Sequence, residues 1–192
     1  FIPSMIPDIA PGHISIKYGF KGPNFSIISA CATGTHCIGN SYNMIKNNEA
    51  DIIISGGTEA SITPLSIAGF SNMKALTKQS DKNIACRPFD LHRDGFVMGE
   101  GSGIVIIESL ESALRRNANI LSEIVGYAAT ADAYHITSPD PKGRGAQSAM
   151  NKAINNAEIN PNEIEYINTH GTSTRFNDMI ETNAIKKVFK KH

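Results

Sequence analysis

A thiol and an imidazole each stand where the sequence changes from strand-like to another pattern. Gly22-Pro23-Asn24-Phe25-Ser26-Ile27-Ile28-Ser29-Ala30 reads as a short apolar strand bounded by turn residues, and Cys31 follows it. After Ala32-Thr33-Gly34-Thr35, residues His36 to Asn47 carry helical spacing, with apolar positions at Cys37, Ile38, Tyr42 and Ile45. A thiol at the start of a helix meets unpaired N–H groups and the positive end of the macrodipole, which favour thiolate over thiol. Cys31 is therefore a candidate nucleophile, although position alone serves a small buried packing residue equally well. Near the other end, Ile164-Glu165-Tyr166-Ile167-Asn168 reads as a strand running into Thr169-His170-Gly171-Thr172-Ser173-Thr174. A histidine at a strand end, followed by glycine and hydroxyl residues, can be aimed into a cleft with its backbone close to a ligand. The two strand-end groups predict one shared site.

The elements that must position them read as α/β. Strand candidates at residues 51–55, 103–107 and 120–127 alternate with helical patterns at 109–116, 145–157 and 177–190. A length of 192 residues houses one sizeable core or pieces of two halves. Lys plus Arg and Asp plus Glu number 18 each, so no global charge points to nucleic acid, and the longest apolar runs are far too short to span a bilayer. Cys31, Cys37 and Cys86 are odd in number and lack metal-ligand spacing, which fits a reducing compartment and predicts no metal. No signal or transit peptide is visible in the sequence. Heavy use of Ile, Asn and Lys hints at an AT-rich genome, in keeping with a bacterial cytoplasm or a plastid- or apicoplast-type organelle.

Several segments together carry a family resemblance. They are Ser29-Ala30-Cys31-Ala32-Thr33-Gly34-Thr35-His36, Arg87-Pro88-Phe89-Asp90, Arg93-Asp94-Gly95-Phe96, Gly99-Glu100-Gly101, Asp132-Ala133-Tyr134-His135-Ile136-Thr137, and Thr169 to Thr174. In this order, across nearly the whole chain, they resemble the β-ketoacyl-[acyl-carrier-protein] synthases, most closely the elongating enzymes of type II fatty acid synthesis. The resemblance implies a thiolase-like fold, five αβαβα layers built from two similar halves with mixed sheets. It further implies that only the central portion is present. Residues 1–115 would be the end of the N-terminal half, with the nucleophile elbow, and 116–192 the start of the C-terminal half, with the histidine. The family's second histidine, its lysine and its phenylalanine loop are expected beyond His192, so residues 1–192 alone are expected to be inactive.

The implied activity is decarboxylative condensation of malonyl-carrier protein with an acyl chain held on a cysteine. By resemblance, Cys31 matches the nucleophile and His170 the first catalytic histidine. Thr172 and Thr174 match hydroxyls that bind the pantetheine arm, and Thr137 falls in a loop at the mouth of its tunnel. Phe70 matches a wall of the acyl pocket, and Lys74 a basic position that meets the acidic carrier protein. Glu181 matches a buried supporting acid. Asp178, three residues before it on a helix, shares its face and on charge alone reads as a favourable helix-start residue. His13, His36, His92, Cys37 and Cys86 are assigned to packing or caps, and His135 to structure. The implied partners are acyl carrier protein bearing acyl and malonyl thioesters and a second copy in a homodimer, without nucleic acid, membrane or resident cofactor, since phosphopantetheine arrives on the carrier.

One departure is visible. After Thr174 the family continues with proline, small residues, glycine and aspartate, whereas Arg175-Phe176-Asn177-Asp178 stands here. Asparagine tolerates positive φ, so Asn177 is expected to keep the turn. A polyketide ketosynthase is the competing reading, although its members usually differ around the cysteine and carry Gly-Thr-Gly-Thr after the histidine. A non-catalytic scaffold of the same fold is the third, and such relatives usually replace the cysteine.

Overall fold

Signals at segment ends mark three of the observed helices. The structure, a computed structural model, describes residues 1–190; Lys191 and His192 lie outside the described residues. It divides into two compact units, Phe1–Thr58 with Ser102–Glu123 and Glu59–Gly101 with Ile124–His192.

In the first unit, α1 (Ile9–Tyr18) forms despite Pro11 and Gly12. Pro11 occupies the first turn, where its missing N–H has no intrahelical partner to lose. Gly19 closes the helix in a left-handed conformation, φ 71°, with its N–H on Ser15 O. Then comes α2 (Thr33–Lys46), which begins three residues earlier than the spacing predicts and buries Gly39 and Ser41. Two strands, β1 (Ile52–Glu59) and β2 (Gly101–Glu108), form a two-stranded sheet. Ser109 N–H donates to Asp51 O at one end, and a Cβ added at Gly56 would fall 2.1 Å from Gly103 O. Rising numbers in β1 thus meet falling numbers in β2, and the pair is antiparallel. The short α4 (Leu110–Arg115) follows β2, capped by Ser109, whose side chain accepts from Ser112 N. A mainly apolar hollow of about 820 Å³ lies in this unit, bordered by Ile14, Phe25, Ile27, Cys37, Met44 and Ile104.

Among the described residues, the second unit holds three α-helices. Thr63 caps α3 (Pro64–Asn72), with Pro64 in the first turn where its geometry is pre-set. Its α5 (Arg144–Ala157) packs on α6 (Arg175–Phe189). The buried apolar residues here are Ile154 of α5 and Ile180, Ala184 and Phe189 of α6, with Ala85 from a loop.

Three expected strands are corrected. Residues 22–30, 120–127 and 164–168 form no strand among the described residues. The first is held by side chains, Asn24 Nδ2 on Pro11 O at 3.0 Å and Ser26 Oγ on Pro7 O at 2.9 Å. In the second, Tyr127 N–H goes to the Asn156 side chain, 3.2 Å away. Alternating apolar residues report which faces are buried; a strand also needs a neighbour to receive its N–H and C=O groups.

Gly126 shows how closely that second segment lies against α5: a Cβ there would fall 2.5 Å from Ala153 O and 2.9 Å from Ala157 Cβ. Gly126→Ala should therefore cost about 1–3 kcal/mol of stability, as forced overpacking does. Denaturant unfolding of the full-length protein checks it, and an unchanged midpoint would show that the segment yields freely.

Candidate active site

Cys31 lies in a single 3-10 turn, Ala30–Ala32, that feeds directly into α2. The turn is sharpened at Ala30, whose φ is 50°, and fastened by Ser29 N–H on Thr33 Oγ1 at 2.9 Å. A non-glycine residue in that left-handed region is an uncommon and strained choice. It leaves the Cys31 side chain exposed at the start of the helix. Ser29 Oγ is buried and has no hydrogen-bond partner among the described residues.

The remaining candidates belong to the second unit. Two residues of the 169–174 loop take positive φ, Gly171 at 50° and Ser173 at 61°. Glycine fits there without a Cβ penalty; Ser173, 0% exposed, is instead over-determined by its bonds. Its Oγ accepts from Arg87 N at 3.1 Å and its carbonyl accepts from Gly95 N at 2.9 Å. The expectation for Asn177 is corrected here: Arg175 already opens α6, Asn177 is helical, and Ser173 makes the left-handed turn.

Asp178 and Glu181, expected to act as one face, do different work. The Glu181 carboxylate accepts His170 N–H at 2.6 Å through Oε1 and Gly171 N–H at 2.9 Å through Oε2. It thus grips the backbone of the histidine and leaves the imidazole to other partners. Asp178 turns the other way and is buried, 1% exposed, accepting Phe89 N–H at 2.8 Å and pairing with Arg93 Nε at 3.2 Å through Oδ2. Asp178 does stand in the first turn of α6, as its charge suggested, and it is in addition buried and paired with an arginine. Asn177 Nδ2 bridges the two acids, 3.1 Å from Asp178 and 3.4 Å from Glu181.

Thr172 and Thr174 face each other, Oγ1 to Oγ1, at 2.8 Å. Phe70, in α3, meets the edge of Phe96 with ring centroids 5.6 Å apart. Lys74 is exposed just past the same helix, φ 57°. Thr137 is exposed in a loop held by His135, whose Nδ1 accepts the N–H groups of Thr137 and Ser138 at 3.1 Å each. The structure therefore brings His170, Thr172, Thr174, Asp178 and Glu181 together, and Phe70 to Phe96. Cys31 belongs to the other unit. Sequence reasoning gave no role to Arg93, which the structure places at the base of the histidine loop. An arginine set among aspartate and glycine in a loop, with no helix face to occupy, was the available signal.

Downstream of Thr137, buried Asp140 caps α5. It takes the Arg144 side chain at 2.6 Å and the N–H groups of Lys142 and Arg144. The Arg144 hydrogen bond holds its carboxyl down to about 2 against the ordinary 3.8, with burial opposing and the two backbone bonds assisting. A carboxyl depressed in the folded state stabilises above its ordinary value, and that contribution is lost as pH falls toward the folded one. Wild type should therefore be more stable than Asp140→Asn above roughly pH 4, with the two curves converging toward roughly pH 2. Unfolding free energy against pH measures this, and a constant gap across that window would contradict it.

Comparison with known proteins gives a consistent picture. The family described as "Beta-ketoacyl synthase, N-terminal domain" matches residues 1–113, and "Beta-ketoacyl synthase, C-terminal domain" matches 121–192. The chain is 54% identical over 189 residues, 98% of its length, to "3-oxoacyl-[acyl-carrier-protein] synthase 2" of Staphylococcus aureus, covering 47% of that relative. It is 49% identical to the mitochondrial 3-oxoacyl-[acyl-carrier-protein] synthase of Arabidopsis thaliana, covering all of this chain and 42% of the relative. The chain thus spans about half the length of the curated relatives it matches. Among solved structures, a type II polyketide ketosynthase in complex with its acyl-carrier protein superposes with TM-score 0.92 at 38% identity, over 96% of this chain and 46% of that one. A β-ketoacyl synthase from Burkholderia phymatum gives 0.88 at 34%, over 95% and 44%.

Proposed function

The chain belongs to the β-ketoacyl synthase family and has its thiolase-like α/β fold, and on that premise we propose that it carries out decarboxylative condensation as part of a 3-oxoacyl-[acyl-carrier-protein] synthase of type II fatty acid elongation. The observation that carries this reading is 54% identity to such a synthase along 98% of the chain, with Cys31 exposed at the start of a helix. Residues 1–115 are assigned to the N-terminal half and 116–192 to the C-terminal half, which the family matches at 1–113 and 121–192 support.

Cys31 sulfur attacks the thioester carbonyl of an acyl chain on the carrier's phosphopantetheine. A new carbon–sulfur bond forms, the old one breaks, and the pantetheine thiol leaves with the proton. The Cys31 backbone N–H can donate to the transient oxyanion, a contact worth about 3 kcal/mol of barrier. Malonyl-carrier protein then loses carbon dioxide, and the electron pair of the broken carbon–carbon bond becomes an enolate. His170 donates a hydrogen bond to that enolate oxygen, and the carbanion attacks the Cys31 thioester, lengthening the chain by two carbons and returning the thiolate. Thr172, Thr174 and Thr137 bind the pantetheine arm, whose amides and hydroxyls suit short neutral partners. Phe70 walls the acyl chain, each buried CH₂ contributing about 0.8 kcal/mol. Lys74 meets the acidic carrier. The reading calls for no resident metal or cofactor.

A polyketide ketosynthase is the second reading, supported by the 0.92 superposition on one, at the lower identity of 38%. Among the described residues, no helix is long and apolar enough to cross a membrane. A bacterial cytoplasm or a plastid- or apicoplast-type organelle is the proposed setting; the relatives named above are one bacterial and one mitochondrial synthase. A homodimer is proposed through residues 24–29, where Phe25 is 51% and Ile28 75% exposed.

Partial reactions of the full-length protein test the assignment. Cys31→Ala should abolish uptake of acyl groups from the carrier, whereas His170→Ala should keep that uptake and lose malonyl decarboxylation by about two to three decades. Equal loss of both steps in His170→Ala would make the histidine structural, and products left with unreduced, successive keto groups would favour the polyketide reading. Phe25→Asp should convert a dimer to monomers or aggregate in light scattering; an unchanged dimer would place the interface elsewhere.

A further inference from the structure

We propose that Arg93 is a positioning residue for condensation, holding His170 in place through the start of α6; this rests on the reading of His170 above. The Arg93 side chain is 15% exposed, and its guanidinium meets four acceptors on two segments of the second unit. Nε donates to Thr174 O at 3.1 Å and pairs with Asp178 Oδ2 at 3.2 Å, Nη2 donates to Arg175 O at 2.8 Å, and Nη1 to Asp90 O at 2.8 Å. Three of the four lie where the histidine loop becomes α6.

From there the connection to His170 is short. Asp178 and Glu181 stand on successive turns of α6, three residues apart on a rigid helix. Glu181 holds the His170 and Gly171 amides, so a displacement of the helix start moves the carboxylate that fixes the imidazole-bearing backbone. Arg93 thus lies at one end of a chain of contacts whose other end is His170. Its planar fork can meet four fixed acceptors at once, whereas a lysine ammonium supplies charge from a single point on a flexible stem. Arg93→Lys therefore keeps a positive partner for the buried carboxylate while discarding the geometry. Cys31 belongs to the other unit.

The test uses full-length protein with malonyl- and acyl-carrier protein. Arg93→Lys should fold, shown by a cooperative thermal transition, and lose malonyl decarboxylation kcat by about a hundredfold, the scale of a 1 Å misplacement, with KM within about threefold. Acylation of Cys31 should stay within about threefold of wild type. Asp178→Asn should show the same split, and the double variant should lose little beyond either single one, as expected for residues acting as a unit. A folded Arg93→Lys with wild-type decarboxylation, or equal loss in both half-reactions, overturns the proposal. Failure of both single variants to fold also overturns it, by assigning Arg93 to stability alone. His170→Ala, measured alongside, separates the two readings: if it retains decarboxylation, the role of His170 fails; if it loses decarboxylation while Arg93→Lys does not, only the present inference fails.

Discussion

The Asp178 carboxylate has almost no access to water, and the second unit is organised around satisfying it. A buried charge left alone is strongly destabilising, so its partners must be placed together whenever the fold forms. Besides Asn177 Nδ2 on its own helix, they include Arg93 and the Phe89 amide, both from the segment that begins at Arg87. Meeting the carboxylate brings that segment against the start of α6. Once there, Gly95 N–H reaches Ser173 O and Arg87 N–H reaches Ser173 Oγ. Those bonds offset the roughly 1–2 kcal/mol that a non-glycine residue loses in the left-handed region. The sharp turn at Ser173 directs Thr172 and Thr174 toward one another and returns the chain so that Glu181 can take the His170 and Gly171 amides.

Arg87 extends the same logic. Its guanidinium pairs with Asp94 at 3.2 Å and donates to the Ile84 and His92 carbonyls, so the 84–94 loop is cross-braced before it meets α6. The Asp94 carboxyl is held below its ordinary value chiefly by Thr77 Oγ1, with Lys78 N–H and Arg87 assisting against burial. A loop without regular structure is thereby made rigid by charge-assisted bonds, which are shorter and stronger than neutral ones. In the first unit the corresponding constraint is conformational and local: left-handed Ala30 makes the turn that leaves Cys31 at the head of α2.

Much of this organisation was legible in the residues. Helices α2, α5 and α6 and strand β1 followed from apolar spacing, because each buries a stripe or face; β2 followed from its apolar run, although Ile104, Val105 and Ile106 stand exposed. Residues 22–30, 120–127 and 164–168 carried the same apolar signal without forming strands, since periodicity says nothing about whether an edge finds a neighbour. Helix α1 was hidden by Pro11 and Gly12, which punctuate most sequences but are tolerated in a first turn. Cys31 and His170 stood out among three cysteines and six histidines only through the motifs around them, which carry the family resemblance. Arg93 did not, because its partners include the carbonyls of Thr174 and Arg175, more than 80 residues away, and a carbonyl acceptor leaves no mark on residue type. The different tasks of Asp178 and Glu181 were hidden likewise, since their partners lie on backbone elsewhere in the chain.

On this arrangement the buried Asp178–Arg93 pair and the Glu181 grip on His170 should form one cooperative unit. Native-state hydrogen exchange of the full-length protein tests it through the amides of Phe89, Gly95, His170 and Gly171, because residues of one unit open with a common free energy. These four amides should be protected together and lose protection together as denaturant is added. Free exchange at His170 and Gly171 beside well-protected Phe89 and Gly95 would contradict it, showing that the histidine loop moves independently of the ion pair beneath it.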